Sequence, residues 1–152
     1  LSAFGSAGQR CSALRILFLP NDTADMLIAC LKGAMDALVI GDPADPATDV
    51  GPVIDDEARN ALAAHAVRLE QEAKILHRLQ TPIDGTFFAP MLAEIPAANF
   101  LQREVFGPIL HVVRYDHSDL AKVAGQLAAL GYGLRLFDAG HPPRCADALT
   151  RG

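Results

Sequence analysis

The stretch with the clearest chemical potential is "FGSAGQRCSALR", residues 4–15, which carries Cys11. A cysteine attacks electrophiles as its thiolate, and a nearby cation such as Arg10 favours that form. Gly5 and Gly8 permit close backbone approach, so peptide N–H groups can point at a developing oxyanion. Alternatively, Cys11 is a small buried side chain, since free cysteine is among the most buried residue types. Local chemistry leaves both interpretations open, because a nucleophile also needs a base.

A second candidate stretch is "REVFGPIL", residues 103–110, in which a Gly-Pro turn precedes an apolar run. Strand ends that open onto a crevice are where α/β proteins place ligand contacts. The carboxylate of Glu104 can accept two hydrogen bonds from a sugar diol, and the ring of Phe106 can pack against a flat heterocycle. The alternative is a solvated glutamate beside a core phenylalanine.

The other cysteines and the histidines show no recognisable site. Cys30 lies on an apolar helical stripe and is interpreted as a core residue, and Cys145 has no visible partner. The odd number and wide spacing of the cysteines argue against a disulfide framework or a close-spaced zinc site. No metal-ligand spacing links His65, His77, His111, His117 and His141. A cysteine hydrolase remains a third hypothesis, which requires one histidine beside Cys11 in space.

Strands and helices alternate along the chain, which predicts an α/β fold with a largely parallel sheet. The expected strands are residues 13–19, 73–80, 86–95 with a proline kink, and 109–115, of which the first and the last are expected to be buried. The expected helices run from Asn21 or Asp22, as candidate caps, through Leu38, then over 55–73 and 118–131. The first helix shows an apolar stripe of Leu27, Cys30, Leu31, Ala34, Met35 and Leu38, and the second one of Leu62, Ala66, Leu69 and Ala73. The proline-rich segment 40–55 is predicted to be a long ordered loop.

Composition excludes several classes of partner. The 152 residues are 51% hydrophobic and 20% charged, with a net charge of -5, which is typical of a globular chain. The 13 Lys and Arg residues are scattered, so no basic face for nucleic acid is predicted. No apolar run suits a membrane span, and few scattered cysteines favour a cytoplasmic location. The chain begins at Leu1 rather than Met, which indicates a piece of a longer protein.

Four segments in order resemble the catalytic domain of the aldehyde dehydrogenase superfamily: "GQRC", "GDPADPATDVGPVID", "FFAPMLAEI" and "EVFGP". The resemblance extends over residues 4–134. It implies a three-layer α/β catalytic domain with a mostly parallel sheet, present here in part. The run "RCSALR" more narrowly resembles the members that oxidise L-glutamate γ-semialdehyde (1-pyrroline-5-carboxylate dehydrogenases), including the C-terminal half of bifunctional proline utilization proteins.

In that family a cysteine attacks the aldehyde, hydride passes to NAD, and water releases the acid. The resemblance implies that Cys11 is the nucleophile and that its backbone N–H helps form the oxyanion hole. It implies that Ser12 helps hold the substrate carboxylate, that Glu104 binds the nicotinamide ribose, and that Phe106 packs by the nicotinamide ring. The substrate would be a small aldehyde. No metal is implied, and a homo-oligomer is left open.

The chain also departs from the family pattern. The family's cofactor-binding domain, its glutamate base and its oxyanion-hole asparagine lie upstream of the cysteine segment and have no counterpart here. We therefore divide the chain into a catalytic (thiol) domain fragment, residues 1–134, and a divergent tail, residues 135–152. Truncation, a degenerate copy and a frame change near residue 135 would each produce that tail.

Two functions follow as expectations. The first is a fragment of an NAD-dependent aldehyde dehydrogenase of proline catabolism that has little or no turnover as an isolated chain. The second is a non-catalytic domain with a structural or interaction role, in which the Cys11 thiol is no more reactive than the other two. An activated thiol would react well below the usual thiol pKa of about 8.5.

Overall fold

Four strands form one sheet in the computed structural model, which describes residues 2–119, 121–123 and 125. The strands are β1 (Ile16–Pro20), β2 (Lys74–Arg78), β3 (Met91–Glu94) and β4 (Ile109–Tyr115), in the order β1-β4-β3-β2. The helices are α1 (Asn21–Asp36) and α2 (Asp56–Glu72), and 3-10 turns occur at Gly5–Gly8, Ala98–Phe100 and His117–Asp119. The tail and most of the helix predicted over 118–131 lie outside the described residues, although residues 121–123 and 125 are helical.

The sheet is largely parallel, as the sequence predicts. β4 pairs in parallel with β1 and β3, whereas β2 runs antiparallel to β3. The first five residues of β4 are buried because this strand lies between two neighbours. β1 is at an edge of the described sheet, and four of its five residues are only partly buried. The expectation that β1 is a buried strand is therefore wrong.

α2 forms where its sequence predicts it. Asp55 precedes the first turn and accepts a hydrogen bond at 2.8 Å from the N–H of Ala58, which satisfies a donor that the helix leaves unpaired. Leu62, Ala66 and Leu69 recur at helical spacing and are buried. The cap and the apolar stripe together fix which face of α2 lies against the core.

α1 starts differently from the expectation. Pro20, with an extended ψ of 138°, occupies the capping position, and no side chain caps the helix. Asn21 is already helical, and its side-chain amide donates to Asp116 at 2.6 Å. The expected capping role of Asn21 or Asp22 is therefore wrong, because proline ends β1 one residue before them.

The buried face of α1 also differs from the predicted stripe. Its buried residues are Ala24, Ile28 and Met35. Leu27, Leu31 and Leu38 only border the core, and Cys30 is partly buried. Among the described residues no helix is both long and apolar enough to cross a membrane.

The predicted loop between α1 and α2 is ordered by its own side chains. The carboxylates of Asp42 and Asp45 each accept from a backbone N–H two residues later, at 2.8 and 2.9 Å. A parallel bridge joins Ile40 to Val50, and Val50 and Val53 are buried in the core. The loop is thus attached to the core at its end nearest α2.

Candidate active site

Cys11 lies on an exposed turn rather than in the core. The N–H of Ala13 donates to the carbonyl of Arg10 at 3.1 Å, so Cys11 and Ser12 occupy the two central positions of a tight turn. Cys11 is an exposed free cysteine, and Ser12 is exposed as well. Within the described part of the chain, their backbone N–H groups donate to no protein acceptor. The alternative that Cys11 is a small buried side chain is therefore wrong.

The backbone leading into this turn is strained. Ser6, Ala7 and Gly8 are all left-handed, with φ of 54°, 51° and 64°. Such φ values cost a residue with a Cβ about 1–2 kcal/mol, so surrounding contacts must hold them. Gly8 is fixed by packing, since a Cβ there would lie 2.0 Å from the carbonyl oxygen of Gly107. A Cβ on Gly5 would meet nothing within 4 Å, so the close approach expected at both glycines occurs at one.

The two candidate stretches meet through their backbones. The N–H of Gly107 donates to the carbonyl of Gly8 at 3.2 Å. On its other side Gly107 faces α2, where an added Cβ would come within 2.2 Å of Leu62. Both glycines are therefore needed to let the cysteine segment, the Glu104–Gly107 turn and α2 pack this closely.

Arg15 joins the same two stretches through its side chain. Its guanidinium donates to the carbonyl of Gly8 at 2.5 Å, to the carbonyl of Arg10 at 2.9 Å and to Glu104 Oε1 at 3.3 Å. It also lies 4.7 Å from the centroid of the Phe106 ring. Arg15 is 8% exposed, so these are buried, charge-assisted contacts rather than a surface ion pair.

Glu104 and Phe106 keep free surface beside this arginine. The Glu104 side chain is 30% exposed, and Phe106 is 46% exposed. Arg15 takes one carboxylate oxygen, and no other described residue donates to that carboxylate. The expected solvated glutamate and buried phenylalanine do not describe these residues, because both are positioned by Arg15 and both stay accessible.

Gln9 attaches the cysteine segment to the loop before α2. Its side-chain oxygen accepts from the N–H of Ile54 at 2.8 Å, and its side-chain nitrogen donates to the carbonyl of Ser6 at 3.3 Å. A cleft of about 390 Å³ lies between this segment and the loop, with Ser6, Gln9, Pro43 and Asp49 among its walls. Cys11 and Glu104 do not line it, so the cleft flanks the candidate site.

A histidine pair lies behind the site. His111 on β4 is fully buried, and its Nδ1 is 2.9 Å from the carbonyl of Arg15. Since a carbonyl only accepts, Nδ1 carries the proton, and Nε2 of neutral His111 must accept from His65 Nε2 at 2.9 Å. Burial lowers the pKa of His111 to about 4, more than its bond to the Arg15 carbonyl raises it. Burial also lowers the pKa of His65, with help from Arg68.

The histidines of the described residues are engaged with partners other than Cys11. The bonded pairs are His65–His111, His77–Asp36 and His117–Asp22. Among the described residues, the histidine that a cysteine hydrolase would need beside Cys11 is therefore not found. His141 and Cys145 lie outside the described residues. Over the same residues no group of three or more potential metal ligands is assembled.

Cys11 and Ser12 lie on one segment and Glu104 and Phe106 on another, and the two segments are joined by the Gly107–Gly8 hydrogen bond and by Arg15. Sequence reasoning missed Arg15, Gln9 and His111 as members of the same assembly. The signal for Arg15 was its place in the "RCSALR" run, but a basic residue at a strand entrance is ordinarily exposed. Its burial follows from contacts to residues far away in the chain.

Comparison with known proteins gives consistent matches. The model of the aldehyde dehydrogenase family matches residues 1–135. The bifunctional protein PutA of Escherichia coli is 43% identical over 143 residues, which are 89% of this chain and 11% of that protein. The N-succinylglutamate 5-semialdehyde dehydrogenase of Sphingopyxis alaskensis is 34% identical over 150 residues, 96% of this chain and 31% of that protein.

A solved structure supports the same relationship. The crystal structure of a variant of Bradyrhizobium japonicum proline utilization A (PutA) matches with a TM-score of 0.84 and 52% identity. The match covers 88% of this chain and 14% of that chain. The chain therefore spans a small part of the length of the relatives it matches, and its mixed α/β fold with a mostly parallel sheet is that of the corresponding PutA region.

Proposed function

This chain belongs to the aldehyde dehydrogenase family, and on that premise we propose that it is the cysteine-bearing part of an NAD-dependent aldehyde dehydrogenase. The substrate we propose is L-glutamate γ-semialdehyde (1-pyrroline-5-carboxylate), which is oxidised to L-glutamate in proline catabolism. We assign residues 1–134 to the catalytic-domain fragment and 135–152 to a divergent tail. The rest of the enzyme is the partner that this assignment requires, and the location is cytoplasmic.

One observation carries the proposal. An exposed free thiol lies on a turn whose supporting backbone is packed directly against the Glu104–Gly107 turn. The nucleophile and two groups suited to a nicotinamide nucleotide are thereby held on adjoining segments. A domain with a purely structural role has no need for a strained, buried support behind an exposed cysteine.

Cys11 is the nucleophile of the proposed reaction. Its thiolate sulfur bonds to the aldehyde carbon, and the carbonyl electron pair moves to oxygen, which forms a hemithioacetal oxyanion. The backbone N–H of Cys11 has no acceptor among the described residues and is suited to donate to that oxygen. The exposed hydroxyl of Ser12 is suited to hold the substrate's distant carboxylate. Both contacts act through the same turn.

The residues present fit a nicotinamide cofactor. Glu104 retains one oxygen for the ribose diol, because Arg15 engages the other, and the half-exposed ring of Phe106 offers a flat apolar surface. The chemistry that NAD supplies when bound is acceptance of a hydride. Hydrolysis of the thioester left on Cys11 needs a water and a general base, which the family resemblance assigns to the part of the enzyme upstream of this segment.

The choice of substrate is supported by relatives of two kinds. Their names refer to proline utilization and to a glutamate semialdehyde derivative. The second name points to a short aldehyde that carries a carboxylate. NAD rather than NADP is taken from the family resemblance.

Replacement of the nucleophile tests the proposal. In the intact enzyme that carries this segment, Cys11→Ala should lower NADH production from L-glutamate γ-semialdehyde by at least about a thousandfold, because no other described thiol is positioned there. NADH absorbance at saturating substrate gives the rate. Glu72→Gln, a change on the exposed part of α2, is the matched control and should retain activity. Activity that survives Cys11→Ala would contradict the nucleophile role and favour the non-catalytic alternative.

A further inference from the structure

We propose that Arg15 is a positioning residue that fixes the Cys11 turn and the Glu104–Gly107 turn relative to each other, so that the thiol and the cofactor contacts share one geometry. The proposal deepens the function proposed above and rests on it. The family match assigns no role to this residue. Its contacts, described next, assign one.

Arg15 donates to groups on both of the segments that the Gly107–Gly8 hydrogen bond joins. The carbonyls of Gly8 and Arg10 belong to the backbone that enters the Cys11 turn. The Glu104 carboxylate belongs to the other stretch, 89 residues further along the chain. A single planar guanidinium therefore orients three groups at once.

The contact with Phe106 gives the same cation a fourth role. The guanidinium carbon is 4.7 Å from the ring centroid, so the cation packs over the face of the ring. Lysine cannot reproduce this arrangement, because its ammonium is a single point and lacks the planar fork that reaches several acceptors. The geometry thus calls for arginine specifically.

Arg15 is itself held from behind. Its carbonyl accepts from the backbone N–H of His111 at 3.0 Å and from His111 Nδ1 at 2.9 Å. Both lone pairs of that carbonyl are used, so the backbone from which the guanidinium extends is anchored to β4. The Gly8 carbonyl that Arg15 engages is buried, so water would replace that contact poorly, and removal of the guanidinium should affect both turns together.

The test compares Arg15→Met and Arg15→Lys with Arg68→Met. Arg68 is a close counterpart outside the site: it pairs with Glu72 at 3.0 Å and lies 4.3 Å from the centroid of the Phe100 ring. Hydrogen exchange by mass spectrometry on this chain follows segments 6–13 and 103–107. Both Arg15 variants should accelerate exchange in the two segments together by about tenfold or more, whereas Arg68→Met should leave them unchanged.

A kinetic measurement separates positioning from loss of folded protein. In the intact enzyme, Arg15→Lys should raise KM for NAD and lower kcat, each by about tenfold, while Cys11 stays present. A smaller folded fraction would lower kcat and leave KM unchanged. Circular dichroism checks that each variant is folded, and Arg15→Lys keeps the test decisive where Arg15→Met does not fold.

Several outcomes would overturn the proposal. They are faster exchange confined to one of the two segments, wild-type exchange in Arg15→Lys, and a fall in kcat at constant KM. If the unaltered intact enzyme reduces no NAD, the proposed function fails, yet the exchange measurement still decides whether Arg15 couples the two turns.

Discussion

Gly8 occupies a left-handed conformation, and the carbonyl of Gly107 lies where its Cβ would be. Gly8→Ala should therefore lower the free energy of unfolding by about 3 kcal/mol or more, since it adds backbone strain to a clash with main-chain atoms that cannot rotate away. Gly5→Ala is the matched control, because its Cβ meets nothing within 4 Å, and should change stability by less than about 0.5 kcal/mol. Urea unfolding followed by circular dichroism measures both. Equal losses in the two variants would contradict this account.

Residue types and motifs in the sequence were enough to select four candidate site residues. They did not predict the contacts and backbone conformations that hold these residues in place. Cys11 and Glu104 are recognisable because their residue types and motifs are distinctive. Arg15 is not, because its role depends on a buried position between segments 89 residues apart. The left-handed Ser6 and Ala7 carry no sequence signal at all, since neither residue type favours positive φ.

The pair His65–His111 links α2 to β4 and makes that contact sensitive to acid. Burial lowers the pKa of His111 to about 4, so the unfolded chain takes up this proton at higher pH than the folded one. Neutral, buried His111 therefore contributes to the free energy of unfolding in full above about pH 6.5. This contribution is lost as the pH falls towards 4, and the free energy of unfolding then decreases by up to about 3 kcal/mol. Three cationic side chains act on the pair in the same direction as burial. Arg15 lowers the pKa of His111, and Arg68 and Arg103 lower the pKa of His65.

Unfolding free energies between pH 7.5 and 4.5 check this prediction. His111→Gln should show a clearly smaller fall than the unaltered chain. His117→Gln is the control, because it leaves the buried pair intact and its side chain is on the surface, and it should keep the fall that the pair causes. Identical pH dependences in all three proteins would show that the buried pair does not titrate as described.

Helices and strands were predicted well where the local residue pattern alone determines the element. α2 has both a capping aspartate and an apolar stripe, and β4 is a continuous apolar run in the centre of the sheet. β1 was expected to be buried because its residues are apolar, but burial depends on the neighbours a strand has, and sequence does not give strand order. The start of α1 was misplaced because Pro20 serves both as the last residue of β1 and as the residue before the helix.

At the scale of the whole chain, the described residues contribute one side of the proposed reaction centre. The chain spans 11% of the length of the Escherichia coli relative, and in the proposed function the described residues supply the nucleophile and the cofactor contacts. We expect the isolated 152-residue chain to produce no measurable NADH from L-glutamate γ-semialdehyde. Attack by Cys11 cannot lead to product without a domain that binds the cofactor and a general base. NADH fluorescence against a Cys11→Ala control at equal concentration measures this. Turnover above that control would contradict the expectation.

The contact between Arg15 and Glu104 also has a consequence for synthesis on the ribosome. Its two partners are 89 residues apart, and ribosomes add about 5–20 residues per second. Cys11 precedes Glu104 by 93 residues, so it emerges about 5–19 seconds before the carboxylate that completes its support. During that interval the thiol is chemically present but its surroundings are unassembled, so a nascent chain halted before residue 104 should carry a cysteine that reacts as an ordinary thiol in an unstructured peptide.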